Sequence, residues 1–267
     1  MNWQTLDISI ESKIAWVRLN RPEKLNALDM QLFIELDRVA KQLTKNRDIR
    51  GVVLCGSNHN FSSGLDIKSV MSKPTNMLKL LFKWLPGQAN LVQRVSRNWR
   101  QIPVPVIAAI EGYCLGGGVQ IIMGADYRIA HPTATFSIME SKWGLQPDMA
   151  GLLGIRDVMP RDIALRLSLS AETINAQNAL DWRLISQVDE QPEQAALALL
   201  ESFSQRSPDA VCAIKQTIRS HWSSSERGLL ARETWNQIRL LINKNTRIAS
   251  KREMGKTEQD YQTRKNW

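Results

Sequence analysis

The chain has 267 residues, of which 43 % are hydrophobic and 23 % charged, and its formal net charge is +9. These proportions are typical of a folded globular protein, and no apolar run reaches the roughly 18 residues that a membrane-spanning helix needs. The N-terminus has no secretory signal pattern, and the three cysteines form no CxxC or Cys/His arrangement. We therefore expect a cytoplasmic protein with reduced thiols, no metal site and no membrane partner.

Alternating apolar residues predict a hairpin at the start of the chain, with strands near 6–10 and 14–19. The next segment, NRPEKLNAL, is typical of a loop. Asn26 within it is predicted to cap a helix whose apolar positions recur up to Leu43. Further apolar runs predict four more strands, at IRGVVLCG, VPVIAAIEG, DYRIA and ATFSI.

Helical patterns occupy most of the remaining chain. Residues 76–101 are predicted to be helical, with a break at Trp84 and Pro86-Gly87. After Arg161 the predicted helices cover 161–170, 176–181, 191–205, 208–222 and 226–247. Strands that alternate with helices and are followed by helices alone predict an α/β core with a C-terminal helical extension.

Two glycine-containing loops each lie between a predicted strand and a predicted helix: Phe61-Ser-Ser-Gly-Leu-Asp66 and Gly112-Tyr-Cys-Leu-Gly-Gly-Gly118. Glycine allows positive φ and close approach of a ligand, and a helix start offers unpaired N–H groups. Two such loops can direct backbone donors at one anionic oxygen, as in an oxyanion hole. Alternatively, the glycines serve close packing of a helix against a strand. Neither loop carries the residues of a P-loop, a dinucleotide-binding turn or a nucleophile elbow.

Two acidic residues follow the second glycine loop at positions suited to proton transfer. Glu140 ends an apolar strand, and Trp143 after it indicates partial enclosure, whereas Asp148 lies in a loop flanked by proline and glycine. Carboxylates at strand ends beside glycine loops are candidate proton carriers. A surface role for Glu140 and a loop-capping role for Asp148 are the alternatives.

Several of these segments together resemble the crotonase superfamily, also called the enoyl-CoA hydratase/isomerase family. The motifs NRPEKLNAL, FSSGLDIK, PVPVIAAIEGYCLGGGVQIIMGADYRIA and FSIMESKWGLQPD occur in matching order and spacing over residues 12–190. The resemblance implies a spiral of ββα units. It also implies a core over 1–190 that holds the oxyanion loops and the acyl-CoA site. Residues 191–267 would then form a helical region that joins copies into a trimer or a hexamer.

The resemblance also implies roles for individual residues. The backbone N–H groups of Leu65 and Gly117 would bind the carbonyl oxygen of an acyl-CoA thioester. Coenzyme A enters as part of the substrate, and no separate cofactor is implied. The residues implied to contact the coenzyme A or acyl portions are Lys24, Ala27, Ser63, Gly64, Asp66, Ile67, Tyr113, Leu115 and Gly116.

The chain departs from the family's hydratases at one position. Those hydratases carry a glutamate where this chain has Gln120, and a second one twenty residues later, which is retained as Glu140. An amide does not ionise and cannot act as a general base. We therefore expect double-bond isomerisation through Glu140 in preference to hydration. Asp148 corresponds to an acid of the family's dienoyl-CoA isomerases, but those enzymes have an aspartate in place of Gln120.

Two other features leave alternatives open. The net positive charge, much of it near the C-terminus, suits a solvated surface or a phosphorylated ligand, and without a nucleic-acid-binding motif no nucleic-acid partner is expected. A non-catalytic protein that binds acyl-CoA or RNA is the alternative to an enzyme. Phe82, Trp84 and Leu85 are interpreted either as a wall for an acyl chain or as part of the core or of a trimer contact.

Overall fold

A computed structural model describes residues 2–267, and the predicted α/β fold is confirmed. Its strands in chain order are β1 (Leu6–Glu11), β2 (Ile14–Leu19), β3 (Gly51–Gly56), β4 (Val106–Ile110), β5 (Tyr113–Leu115), β6 (Tyr127–Ala130), β7 (Thr135–Ser137), β8 (Ile174–Asn175) and β9 (Gln187–Val188). One sheet has the order β1-β2-β3-β4-β6-β9, and a smaller one has the order β5-β7-β8. In the large sheet β1 and β2 are antiparallel, while the pairs from β2 to β9 are parallel.

Helices connect and cover these strands. They are α1 (Met30–Lys45), α2 (Ile67–Met71), α3 (Pro74–Leu81), α4 (Leu91–Gln101), α5 (Gly117–Ile122), α6 (Leu152–Val158), α7 (Arg161–Ser170), α8 (Ala176–Asp181), α9 (Pro192–Ser204), α10 (Pro208–His221), α11 (Glu226–Leu241) and α12 (Lys244–Glu253). The break predicted within 76–101 is confirmed between α3 and α4. Two single 3-10 turns occupy Pro22–Lys24 and Glu140–Trp143.

The order of strands and helices forms the predicted spiral of ββα units. In the turns that begin with β4 and β6, the first strand joins the large sheet and the second, β5 or β7, joins the small sheet. A helix then returns the chain to the next strand. Because the parallel strands β2, β3, β4 and β6 end at the same edge of the large sheet, the loops after β3 and β4 are brought together there.

The core lies on both faces of the large sheet. Strands β3 and β4 are buried almost throughout, as expected of parallel strands covered on two sides. The larger apolar cluster includes Phe33 of α1 and Trp99 of α4, both about 1 % exposed or less. On the other face α9 packs Ala196 and Leu200 against the sheet. The proposed boundary at residue 190 thus precedes a helix that covers the sheet, and the division into two regions stays a prediction.

Two local predictions are wrong. The helix after the first loop begins at Met30 and is capped by Asp29, whose side chain accepts a hydrogen bond from Leu32 N, and not by Asn26. Asn26 instead has a positive φ of 54° inside the preceding turn. The predicted helix 226–247 is two helices, because Asn243 leaves helical geometry and its side chain caps α12.

A C-terminal tail, residues 257–267, runs back across the helices without regular secondary structure. Its backbone N–H at Lys265 and its Trp267 Nε1 donate to Asp209 Oδ1 at 2.7 and 2.6 Å. Arg264, which is 2 % exposed, donates to the carbonyl of Asn46 at the end of α1. The tail therefore links α10 to α1 through buried polar groups.

Asp209→Ala tests this link. Asp209 is fully buried and also accepts from Asn245 Nδ2 at 2.7 Å. Its removal leaves three donors without this acceptor, the buried Asn245 Nδ2 and the partly buried Lys265 N and Trp267 Nε1, so we expect the free energy of unfolding in urea to fall by about 3 kcal/mol. Asp48→Ala, which removes an exposed bond from the tail residue Thr263, is the control and should cost about 0.5 kcal/mol or less. Equal losses in both variants would contradict the assigned role of Asp209.

Candidate active site

The first glycine loop is paired with the turn that follows β2. Leu28 N donates to Gly64 O at 2.8 Å, and Asp66 N donates to Leu28 O at 3.0 Å. Ser63 N donates to Leu25 O at 2.9 Å, and Ser63 Oγ donates to Lys24 O at 3.3 Å. These bonds bring Lys24, Ala27, Ser63 and Asp66 together on adjoining loops.

Two residues that sequence reasoning missed hold this turn in place. Asn26 is fully buried; its Oδ1 accepts from Arg21 N, and its Nδ2 donates to the carbonyls of Ser57 and Asn60. Arg21 donates to Ala27 O at 2.5 Å and lies within 3.4 Å of the Asp66 carboxylate. Periodicity gives no signal for either residue, since their contacts with Ser57, Asn60 and Asp66 join segments far apart in sequence.

The second glycine loop lies directly against the first. Ser62 N donates to Tyr113 O, and Leu115 N donates to Ser62 O. Gly64 has a φ of +94°, and a Cβ placed on it would lie 3.0 Å from Leu115 O and 3.7 Å from Gly117 N. Gly116 has a φ of +49°, and a Cβ on it would lie 4.0 Å from Gly64 Cα and 3.9 Å from Glu140 Oε1. The two glycines thus bring the loops and Glu140 into one small region.

Two backbone donors remain free at this meeting point. Within residues 2–267, neither Leu65 N nor Gly117 N makes a hydrogen bond. Gly117 is the first residue of α5, so its N–H has no partner within the helix. Leu28 forms its backbone hydrogen bonds with Gly64 O and Asp66 N, so the N–H of Leu65 between them is not used. Free N–H groups on adjoining loops are suited to bind one carbonyl or anionic oxygen.

Glu140 lies at the start of the 3-10 turn that follows β7. Its Oε1 accepts a hydrogen bond from Gln120 Nε2 at 2.5 Å. Its Oε2 is buried and has no hydrogen-bond partner among the residues that the structure describes. Burial raises the pKa of Glu140, and the negative charge of Asp148 raises it further. A half-buried carboxylate with a raised pKa and one free oxygen is suited to accept a proton.

Gln120 is 1 % exposed, and its neighbours fix the orientation of its amide. Its Oε1 accepts from Met149 N at 2.8 Å and from Gly151 N at 3.4 Å. Backbone N–H groups can only donate, so the oxygen must face them and the Nε2 must face Glu140. The Gln120 amide therefore connects three parts of the chain: helix α5, the loop that carries Asp148, and the side chain of Glu140.

Asp148 lies beside this network. The residue as a whole is exposed, yet the surrounding chain partly buries its carboxyl group and raises its pKa. Its charge influences Glu140, and the backbone N–H of the next residue, Met149, binds Gln120. The charge of Asp148 thus reaches Glu140 at one edge of the candidate site.

The other residues named from the sequence have different surroundings. Lys24 and Tyr113 are exposed, Ile67 and Leu115 are half-buried, and Ala27 is buried. Phe82, Trp84 and Leu85 are exposed by 51, 83 and 60 %, so the interpretation as core residues is wrong. Asp126 accepts hydrogen bonds from Val106 N and Lys215 Nζ and so links β4 to α10.

A cavity of about 590 Å³ lies away from all these candidate residues. It is bordered by α10, the loop before β6, and α6, with Tyr127, Ile214, Ile218 and Trp222 among its apolar lining. None of the predicted catalytic residues borders it, so its size does not mark it as the chemical site.

No helix in the described part of the chain is both long and apolar enough to cross a membrane.

The chain is similar to known proteins of one family. Residues 9–258 match the model of the enoyl-CoA hydratase/isomerase family. The chain is 31 % identical to a peroxisomal Δ(3,5)-Δ(2,4)-dienoyl-CoA isomerase of Arabidopsis thaliana, over 90 % of this chain and 91 % of that one. It is 33 % identical to an (E)-benzylidenesuccinyl-CoA hydratase of Thauera aromatica, over 79 % of this chain and 80 % of that one.

The fold is shared with solved structures. An enoyl-CoA hydratase from Bacillus anthracis superposes with a TM-score of 0.87 at 23 % identity, covering 97 % of this chain and 99 % of the other. One from Polaromonas sp. JS666 superposes with a TM-score of 0.85 at 25 % identity, covering 96 and 99 %. From its loops, its sequence and its fold, the chain belongs to the enoyl-CoA hydratase/isomerase family.

Proposed function

We propose that the protein moves a double bond within an unsaturated acyl-CoA. The observation that carries the proposal is the state of Glu140. One of its oxygens is bound to Gln120 and the other is free, next to loops that offer unpaired N–H groups. This combination supplies one proton carrier and one site for a negatively charged oxygen.

The proposed reaction begins with a 3-enoyl thioester whose carbonyl oxygen accepts hydrogen bonds from Leu65 N and Gly117 N. Glu140 Oε2 removes a proton from C2, and the electron pair moves onto the carbonyl oxygen, where the two donors stabilise it. The resulting dienolate takes the same proton back from Glu140 at C4. The double bond ends between C2 and C3, and no atom is gained or lost.

Gln120 favours this reaction over hydration. Hydration requires a second group that activates water, and an amide cannot take a proton from water in the working pH range. The Gln120 amide also contacts Glu140 directly at 2.5 Å, so no water fits between them. Its hydrogen bond favours the ionised form of Glu140 and so partly offsets the effect of burial. Hydration remains the alternative reaction, since hydratases also occur among the relatives.

Asp148 supports a longer shift of the double bond as a second candidate reaction. Burial raises the pKa of both Glu140 and Asp148, and the negative charge of Asp148 adds to the shift of Glu140. Two carboxyl groups can serve two carbons that lie farther apart than C2 and C4. Relatives named as dienoyl-CoA isomerases, of which the Arabidopsis protein is one, favour a dienoyl thioester for such a reaction.

The adjoining loops supply the proposed binding surface for coenzyme A. Lys24 is exposed and can meet a phosphate group, while Ala27, Ser63, Asp66 and Ile67 lie along the same pair of loops. Tyr113 and Leu115, on the strand that leads to Gly116, are placed toward the acyl end. Coenzyme A belongs to the substrate, and the proposed reaction needs no further cofactor.

The proposed assembly is a trimer or a hexamer formed through the C-terminal helices. α10, the following residue Trp222, and α11 expose several large apolar side chains: Ile214, Ile218, Trp222, Leu230, Trp235, Ile238 and Leu241. Exposed apolar side chains of this kind support a contact with another chain, and the cavity of about 590 Å³ borders them. A cytoplasmic location, compatible with three free buried cysteines, completes the proposal.

Glu140→Gln tests the proton carrier. We expect kcat for a 3-enoyl-CoA to fall about 10³-fold with little change in KM, because general acid–base catalysis contributes roughly 10²–10⁴-fold. The conjugated thioester is followed by ultraviolet absorbance, with the 2-enoyl isomer assayed in parallel and the exposed Glu258→Gln as control. Because Glu140 has a raised pKa when folded, its ionised form costs stability at neutral pH, so the variant should unfold at a slightly higher temperature. Retained activity in Glu140→Gln would exclude Glu140 as the proton carrier. If the wild-type protein binds the acyl-CoA but converts neither substrate, the non-catalytic alternative is favoured.

Gln120→Glu tests the role of the amide. A carboxylate held by Met149 N and Gly151 N would place a negative oxygen next to Glu140, and repulsion between the two charges would raise the pKa of Glu140 further. In the wild type, activity should rise with pH as Glu140 ionises, through a pKa above the usual 4.5. In Gln120→Glu this rise in activity should occur at a higher pH, and hydration of the 2-enoyl substrate should appear. A profile that matches the wild type, with no hydration, would contradict the role given to Gln120.

Asp148→Asn separates the two candidate reactions. A shift from C2 to C4 by Glu140 alone should keep at least about half of its kcat in this variant, because Asp148 takes no proton in that scheme. Conversion of a 3,5-dienoyl-CoA should fall at least about 10²-fold if Asp148 carries the distant proton. Both rates are read from the absorbance of the conjugated products. Loss of both activities by the same factor would instead assign Asp148 to the shared enolisation step.

A further inference from the structure

One surface of the molecule is not explained by the candidate reaction. Residues 67–88, named here the basic apolar segment, contain four lysines and no acidic residue. The absence of acids extends to residue 110, and seven Lys or Arg residues lie between Asp66 and Glu111. This segment therefore carries a large part of the excess positive charge of the chain.

The segment exposes large apolar side chains, although two of its residues, Val70 and Leu80, are buried against the core. Trp84 is 83 % exposed and Leu78 is 69 % exposed. The others exposed by more than a third are Met71, Met77, Leu81, Phe82 and Leu85. Every residue from 81 to 88 is exposed, so these side chains project from the surface and do not form an enclosed wall.

The lysines are interspersed with these apolar groups and are unpaired. Lys68, Lys73, Lys79 and Lys83 are exposed. Among residues 2–267, the lysines in ion pairs are Lys41 and Lys215, both outside the segment. Unpaired ammonium groups beside projecting Trp, Phe and Leu side chains form a surface that is both cationic and apolar.

We propose that the basic apolar segment binds the surface of an anionic lipid bilayer. Lysines near such a surface are attracted by its negative potential, and Trp and Phe side chains are favoured at the boundary between headgroups and acyl chains. Leu78, Leu81 and Leu85 add aliphatic area that enters the same boundary. The segment lies on the bilayer and does not cross it, which is compatible with the absence of a spanning helix in the described residues.

Other occupants fit these side chains less well. Single-stranded nucleic acid stacks its bases on aromatic rings, but the exposed apolar groups here are mostly aliphatic. A second copy of the chain would have to match four unpaired lysines with acidic groups, and the exposed apolar side chains of α10 and α11 already provide the proposed surface for that contact. The expectation from sequence that no membrane partner exists rested on the lack of a spanning run, which does not bear on surface binding.

The position of the segment gives lipid binding a consequence. It begins at Ile67, directly after Leu65 and Asp66 of the first glycine loop. A bilayer that holds this surface therefore lies close to the candidate active site. Because an acyl-CoA with a long chain partitions into lipid, the site would meet its substrate at the surface. The inference about lipid binding itself does not rest on the proposed reaction.

Vesicle sedimentation without substrate tests the inference. Purified protein is mixed with vesicles of phosphatidylcholine alone or with about 30 % phosphatidylglycerol, a content that gives a strongly negative surface. We expect binding to the anionic vesicles, weaker binding as salt is raised, and little binding to neutral ones. Lys79→Gln with Lys83→Gln should weaken partitioning about 30-fold, from about fivefold per lysine. Trp84→Ser with Leu85→Ser should weaken it at least about tenfold.

A matched control is available in the C-terminal basic region. Lys251→Gln with Lys256→Gln removes the same charge from exposed positions outside the segment and should change partitioning by less than about twofold. The inference is overturned if anionic vesicles are not bound, or if the two lysine pairs have equal effects. It is also overturned if the segment variants leave lipid binding unchanged but reduce the assembly size in light scattering, which would identify a contact between copies. Salt-sensitive binding of single-stranded RNA through the same lysines, without vesicle binding, would identify a nucleic-acid surface instead.

Discussion

The candidate site depends on one side chain that donates and accepts hydrogen bonds at the same time. The Gln120 oxygen is held by two backbone N–H groups of the loop at 149–151, and its nitrogen donates to Glu140. A hydrophobic residue would leave those N–H groups buried and unpaired, and a carboxylate would repel Glu140. The amide is therefore the neutral group that satisfies both sides while Glu140 is ionised. It also leaves Glu140 Oε2 as the free oxygen of the site.

The backbone geometry of the two glycine loops lets them lie close to each other and to Glu140. Positive φ at Gly64 and Gly116 lets the two loops approach within contact distance, and side chains at either position would fill the space near Gly117 N or Glu140. The loops are held by main-chain bonds and by the buried polar groups of Arg21 and Asn26. Such rigid support keeps free N–H groups in place without a cost at the moment of reaction.

The remote parts of the chain have separate tasks. The tail at 257–267 ties α10 to the end of α1 through Asp209 and Arg264, so the helices that expose the proposed contact between copies are anchored to the core. The basic apolar segment, in contrast, is anchored by few buried side chains and presents most of its surface to solvent. Its composition therefore reflects what it meets outside the molecule more than what it packs against.

Periodicity and turn residues report local geometry, so the amino-acid sequence predicts the α/β class and the two glycine loops. The pairing of Gln120 with Glu140 follows from the resemblance to the family and not from periodicity. The folded structure was needed to show that Gln120 bonds Met149 and Gly151, that Arg21 and Asn26 support the first loop, and that residues 81–88 are exposed. It also moved the helix cap from Asn26 to Asp29. These features depend on which distant segments the sheet brings together, and a hydrogen bond between residues far apart in sequence leaves no periodic signal.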